Sequence, residues 1–70
     1  MKLHDAELKV MEVLWEHGDS ATNFICAQLN LEVGWGNSTT NAIIKRCIHK
    51  KAITRDKVTS ICHALVIKDQ

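Results

Sequence analysis

Residues Trp35 to Arg55 read WGNSTTNAIIKRCIHKKAITR, and this stretch decides the fold. Asn37 and Ser38, both good caps, open a helix that runs to about Lys51. It becomes more basic along its length through Lys45, Arg46, Lys50 and Lys51, then gives way to the β-prone segment Ala52-Ile53-Thr54-Arg55. Thr40, Ile44, Cys47 and Ile48 share one face of this helix, and Ser38, Asn41, Ala42, Lys45 and His49 follow one another on the opposite face. Small polar residues early on an outer face, with cations later, are what a major-groove helix needs. Its front must approach base edges without bulk, and its back must meet phosphates. A merely soluble helix carries the same pattern.

On the N-terminal side, Gly34-Trp35-Gly36 breaks the chain, with Gly34 suited to a left-handed helix end and Trp35 free to fold back over the core. Before it, Asp19-Ser20 opens a helix over about Ala21–Glu32, with Ala21, Ile25, Leu29 and Phe24 as its inner face. A first helix is expected over about Asp5–His17, with Asp5 as N-cap, His17-Gly18 as its stop, and Val10, Met11, Leu14 and Trp15 as the buried stripe. On the C-terminal side, Ala52–Arg55 and Val58–Val66 read as two strands joined at Asp56-Lys57. Three helices and a β-hairpin make a mainly α fold, the winged helix-turn-helix, with helices two and three as the helix-turn-helix and the hairpin as the wing.

Seventy residues make one domain, 1–70, near the lower limit for folding without staples. Charge is divided unevenly along it. Residues 1–35 carry two Lys against six Asp or Glu, a net of −4, and residues 36–70 carry seven Lys or Arg against two Asp, a net of +5. The overall +1 hides this dipole. A basic half on a small domain is the electrostatic footprint of a nucleic-acid binder, and also of a solvated Lys-rich helix end. No apolar run approaches the roughly 20 residues of a membrane span and no signal-peptide pattern opens the chain, which makes the cytoplasm the default location. Cys26, Cys47 and Cys62 are odd in number and lack a close pair, against a disulfide framework. Cys47-x-His49 and Cys62-His63 lack zinc-finger spacing, and the reading is buried thiols with surface imidazoles and no cofactor. An enzyme is the weakest class. No catalytic triad order or phosphate-cradling Gly loop occurs, and Cys62 and His63, adjacent on a strand, point to opposite faces.

DAELKVMEVLW (5–15), GW (34–35) and ST-x-N-x-I-I-x-R-x-I-x-K-x-A-I (38–53) resemble the penicillinase-repressor group, the BlaI, MecI and CopY type of bacterial transcriptional repressor. The resemblance runs in order and without gaps as far as Lys57. It implies a winged-helix domain that reads a dyad operator with TACA and TGTA half-sites, third helix in the major groove, with double-stranded DNA as partner and a homodimer as the working form. Thr39 and Arg46 match the group's DNA-contacting Thr and Arg, and Lys50 matches a basic residue near the helix end. Ser38, Asn41 and Lys45 occupy variable positions on or beside the exposed face. With Ala42, where the group often has Thr, and Arg55 on the wing, these form the candidate DNA interface. Asn41 is able to bond adenine through paired donor and acceptor, while Lys45, Arg46 and Lys50 neutralise backbone charge. An ion pair between Arg46 and an acid of the first or second helix is the competing reading.

Several positions depart from the group's pattern. Lys51 stands where a glycine usually ends the recognition helix, and Thr40 and Cys47 replace larger aliphatics, which should loosen the core. The wing is about two residues shorter and lacks the Gly-Arg tip, with Ser60 and Cys62 in place of aromatics. The chain ends at Gln70, without the group's helical dimerisation module, as either an excised domain or a naturally short relative. The alternative function is a degenerate winged helix that binds an acidic protein surface, with weak DNA affinity indifferent to sequence.

Overall fold

The computed structural model describes residues 3–66. The elements, in order, are α1 (Asp5–His17), β1 (Ser20–Ala21), α2 (Thr22–Val33), α3 (Asn37–His49), β2 (Ile53–Arg55) and β3 (Ile61–Ala64). All three helices and the hairpin expected from the sequence are present, and the architecture is a winged helix-turn-helix.

α1 buries Glu7, Val10, Met11, Val13 and Leu14. Position 7 begins the i, i+3, i+4, i+7 stripe that Val10, Met11 and Leu14 continue, so the first place on the buried face belongs to a carboxylate. The N-cap is His4 rather than Asp5. The Glu7 side chain reaches back to accept from the His4 backbone N–H at 2.9 Å, which occupies a donor that a cap would otherwise leave open. Trp15 sits at the edge of the core, its indole N–H donating to the Val66 carbonyl at 2.9 Å. This bond ties α1 to the segment beyond the wing.

Gly18 adopts φ 79° and ψ −164°, a region open to glycine almost alone, and the chain turns there into β1. The two-residue strand pairs with β3 through Ser20 opposite Cys62 and Ala21 opposite Ile61. The sheet is therefore three-stranded, antiparallel and ordered β1-β3-β2, one strand more than the hairpin alone. Because Ala21 belongs to β1, α2 starts at Thr22 and extends one residue past Glu32. Its buried residues are Ile25, Cys26 and Leu29, while Phe24 stays outside the core at 38% exposure and packs edge-on against His17, ring centroids 5.1 Å apart. Gly34 closes α2 in the left-handed conformation, and Trp35 folds back against the core as expected.

The core joins Val10, Met11 and Leu14 of α1, Ile25 and Leu29 of α2, and Ile43, Ile44 and Cys47 of α3, with Ile53 and Cys62 from the sheet. Thr40 is fully buried and its hydroxyl has no hydrogen-bond partner among the described residues, and all three cysteines are buried free thiols. The strands are shorter than the sequence pattern implied. Asp56 Oδ1 accepts from the Val58 and Thr59 backbone N–H groups at 2.7 and 3.1 Å, and Ser60 takes φ 60°. These local bonds wind residues 57–59 into a turn and delay β3 until Ile61. Within β3 the residues alternate: Cys62 is buried, and His63 faces the Asp19 carboxylate at 2.8 Å. Residues Ile67 to Gln70 lie outside the described residues, and the second strand, expected to run to Val66, ends at Ala64.

Candidate nucleic-acid interface

α3 begins with Gly36 in an extended conformation, φ −75° and ψ 169°, whose carbonyl accepts from the Thr40 N–H at 3.1 Å. The N-cap is thus one residue ahead of Asn37 and uses no side chain. Ser38 and Thr39 have helical backbone and exposed side chains, leaving their hydroxyls available. Asn41 is half-buried, and its Nδ2 donates to the Asn37 carbonyl one turn back at 2.9 Å. One of the two groups needed to bond adenine bidentately is engaged within the helix, so base contact through Asn41 requires this bond to break.

Further along α3, Ala42, Lys45, Arg46 and His49 are exposed. They border an open concavity of about 540 Å³ whose other side is formed by His4, the N-cap of α1, with Glu7 and Lys50 also lining it. Arg46 makes no ion pair among the described residues. The intramolecular bridge considered for Arg46 is made instead by Lys50, whose Nζ lies 2.7 Å from Glu7 Oε1. Lys50 caps the C-terminus of α3, and its side chain turns toward α1 at 30% exposure.

Burial pushes the Glu7 carboxyl upward, but the hydrogen bond from Lys50, the His4 backbone N–H and the Lys50 charge outweigh it. The carboxyl rests below its ordinary range. A carboxylate buried this deeply under a basic helix would subtract from that helix's field if it stood alone. Lys50 compensates it, and Lys45 and Arg46 are left as exposed cations of α3 with no ion pair among the described residues. Burial raises the Cys47 thiol to about 11, so it faces the core as a neutral group and takes no part in the surface.

Arg55 lies on β2, half-buried and paired in register with Cys62. The wing tip carries exposed Lys57 and Val58, the latter 92% exposed. α3 therefore brings Ser38, Thr39, Ala42, Lys45 and Arg46 onto one outward surface. Lys50 is drawn inward, Asn41 is partly engaged, and Arg55 belongs to the wing. Sequence reasoning passed over Glu7 and took His4 only as an exposed group at the end of the first helix. The periodicity of α1 already included position 7, but a charged residue in a stripe reads as an interruption until its partner is seen.

The penicillinase repressor family model matches residues 3–69. The penicillinase repressor of Bacillus licheniformis is 34% identical over 56 residues, which are 80% of this chain and 44% of that protein. The chain thus spans less than half the length of the curated relative. The solution structure of the DNA-binding domain of the repressor BlaI superposes with a TM-score of 0.84 at 28% identity, covering 96% of this chain and 84% of that one. The solution structure of monomeric B. licheniformis BlaI in complex with the blaP half-operator superposes with a TM-score of 0.83 at 25% identity, covering 99% and 87%. With the winged helix-turn-helix fold, these matches establish that the chain belongs to the penicillinase repressor family.

Proposed function

We infer that this domain is a sequence-specific, DNA-binding transcriptional repressor module that places α3 in the major groove of a dyad operator with TACA and TGTA half-sites. The observation that carries the reading is the outward face of α3. Its first turns present the small side chains Asn37, Ser38, Thr39 and Ala42 to solvent, with Asn41 half-buried, and its second half presents Lys45 and Arg46 without acidic partners among the described residues. Small side chains admit the helix to base edges, and the two exposed cations answer the phosphates alongside. The solved relative whose monomeric form holds a half-operator supports the stoichiometry of one domain per half-site.

In this reading Thr39 and Ser38 approach bases or the nearest phosphates, Lys45 and Arg46 hold the backbone, and Arg55 with Lys57 brings the wing to the flanking strand. Lys50 acts chiefly by holding Glu7. Linking two such domains would raise affinity by roughly 10²–10⁴-fold, and the working form is a dimer on a dyad. The test is a fluorescence-anisotropy titration at several salt concentrations, comparing a duplex with the TACA–TGTA dyad with a scrambled duplex. Preference for the dyad that weakens with salt is expected. Equal affinity for the two duplexes would overturn the operator assignment.

A further inference from the structure

The acidic half of the chain has a surface of its own, on which the nucleic-acid reading makes no demand. A cleft of about 640 Å³ opens between α1 and α2, within the ~300–1,000 Å³ range of ligand-holding clefts. Val13, Trp15, Leu29 and Val33 form its apolar floor, and Glu12, Glu16 and Glu32 stand around it with Lys9. The carboxylates come from the same faces as the floor. Residues 9, 12, 13 and 16 follow one another on α1, and 29, 32 and 33 on α2. Lys9 lies 3.9 Å from Glu12, whereas neither Glu16 nor Glu32 has an ion-pair partner among the described residues. No α3 residue lines this cleft.

We propose that this cleft is a docking site for a basic amphipathic helix of a partner protein. The charge of the rim selects the occupant. Three glutamates against one lysine repel acidic partners and nucleic acid, and attract Lys or Arg flanking an apolar stripe. The floor supplies the apolar component. Val33 is 38% exposed, and Trp15 is only partly buried against the core, so an incoming apolar side chain finds uncovered surface at both. A groove between two helices that offers apolar floor and charged rim is the setting for helix-in-groove recognition, with anchors at i, i+3 and i+4. Because the site shares no residue with the outward face of α3, it can be filled while α3 is occupied. The proposal does not rest on the function assigned to α3.

The probe is a synthetic Trp-free peptide of Leu and Lys with all its Leu on one helical face, beside a second peptide of the same composition whose order destroys that face. Both are titrated into the isotope-labelled 70-residue chain, with backbone amides and the two indole N–H signals followed by NMR. The first peptide is expected to shift the Trp15 indole and the amides of Val13, Glu16, Glu32 and Val33 saturably, leaving Ser38 to Lys45 unmoved. The second peptide should bind at least tenfold more weakly. The triple substitution E12Q/E16Q/E32Q, on exposed positions that keep the fold, should weaken the first peptide about tenfold, as expected for the loss of three exposed charges. Equal affinity for the two peptides, an unaffected triple variant, or shifts spread over the whole acidic surface would each overturn the proposal. Concentration-dependent shifts of the cleft amides without peptide would replace the partner protein with a second copy of this chain.

Discussion

The Lys50 ammonium lies 2.7 Å from Oε1 of Glu7, a carboxylate that is 1% exposed. The pair joins the end of α3 to the first turn of α1 across 43 residues of sequence, and the same carboxylate oxygen accepts from the His4 N–H. A buried pair of this kind is weak evidence for net stability, yet breaking it from one side leaves a charge without compensation. Lys50→Ala is expected to destabilise the domain by ~2 kcal/mol at neutral pH, below the fully buried case because the lysine is partly solvated. Glu7→Gln, which retains hydrogen bonding without the charge, should cost about 1 kcal/mol. Urea unfolding of both variants checks this. A cost for Lys50→Ala under ~0.5 kcal/mol would place the bridge among surface pairs of no consequence.

The same pair sets an acid limit. The Glu7 carboxyl lies below its ordinary value of 4.5 in the folded protein, so the unfolded chain binds its proton first as pH falls. The contribution of Glu7 is therefore fully present above 4.5 and is lost as pH drops through the lower folded value. Asp56, held down by the Thr59 and Val58 backbone N–H groups, acts in the same direction. The stability difference between wild type and Glu7→Gln is expected to be constant near neutrality and to shrink below pH 4.5. Denaturation curves at stepped pH measure it. A difference that persists unchanged well into the acid range would mean that the folded and unfolded carboxyls titrate alike.

Thr40 gives the opposite kind of prediction. Its hydroxyl is fully buried and unpartnered among the described residues, an arrangement that costs about 1–3 kcal/mol when the group is cut off from water. Valine keeps the branched shape and removes the polar atom. Thr40→Val is expected to stabilise the domain by ~1 kcal/mol, or roughly 4–8 °C in Tm for a chain of this size. Calorimetry decides it, and a lower Tm would show that the hydroxyl bonds a backbone carbonyl in solution.

How far the sequence foretold these features depended on how local their causes are. The ends of α1 and the Gly34 stop were legible because a periodic stripe and a glycine mark them within one turn of chain. β1 was not, since two residues become a strand only by lying beside Cys62 and Ile61, about 40 positions away. The wing was overextended because alternation from Val58 onward looks like a strand until Asp56 folds its carboxylate over the next backbone amides. In the candidate interface, helical period gave Ser38, Ala42 and Lys45 of the outward face of α3, whereas Thr39 and Arg46 were singled out by the family resemblance. The commitment of Lys50 to Glu7 is a tertiary fact with no local signature.

Lys51 was legible as an unfavourable ending for α3, and the structure gives it φ 63°. A side chain in that region costs about 1–2 kcal/mol, and its N–H still donates to the Ile48 carbonyl at 3.0 Å. Lys51→Gly relieves the strain but frees the unfolded chain, which returns part of the gain. The expected net effect is a stabilisation of about 0.5 kcal/mol, read as a higher urea midpoint at unchanged slope. A lower midpoint would mean that the lysine stem contributes more packing than the turn costs.

The division of labour along α3 is open to a measurement that separates phosphate contacts from base contacts. Lys45 and Arg46 are exposed and without an ion pair among the described residues, so each should release about one counterion when it meets a phosphate. Lys45→Ala and Arg46→Ala are each expected to lower affinity for dyad and scrambled duplexes alike, and to reduce the slope of log affinity against log salt by about 1. Thr39→Ala should leave that slope unchanged and lower affinity for the dyad alone, by about 1–3 kcal/mol if it reads a base. Lys50→Ala distinguishes the structural pair from a direct contact. A lysine held by Glu7 leaves the salt slope intact once the variant is compared at equal folded fraction, and a loss of one full unit would make Lys50 a phosphate ligand. An unchanged salt slope in Arg46→Ala, in protein with wild-type stability, would remove Arg46 from the interface and turn attention to the wing cations Arg55 and Lys57.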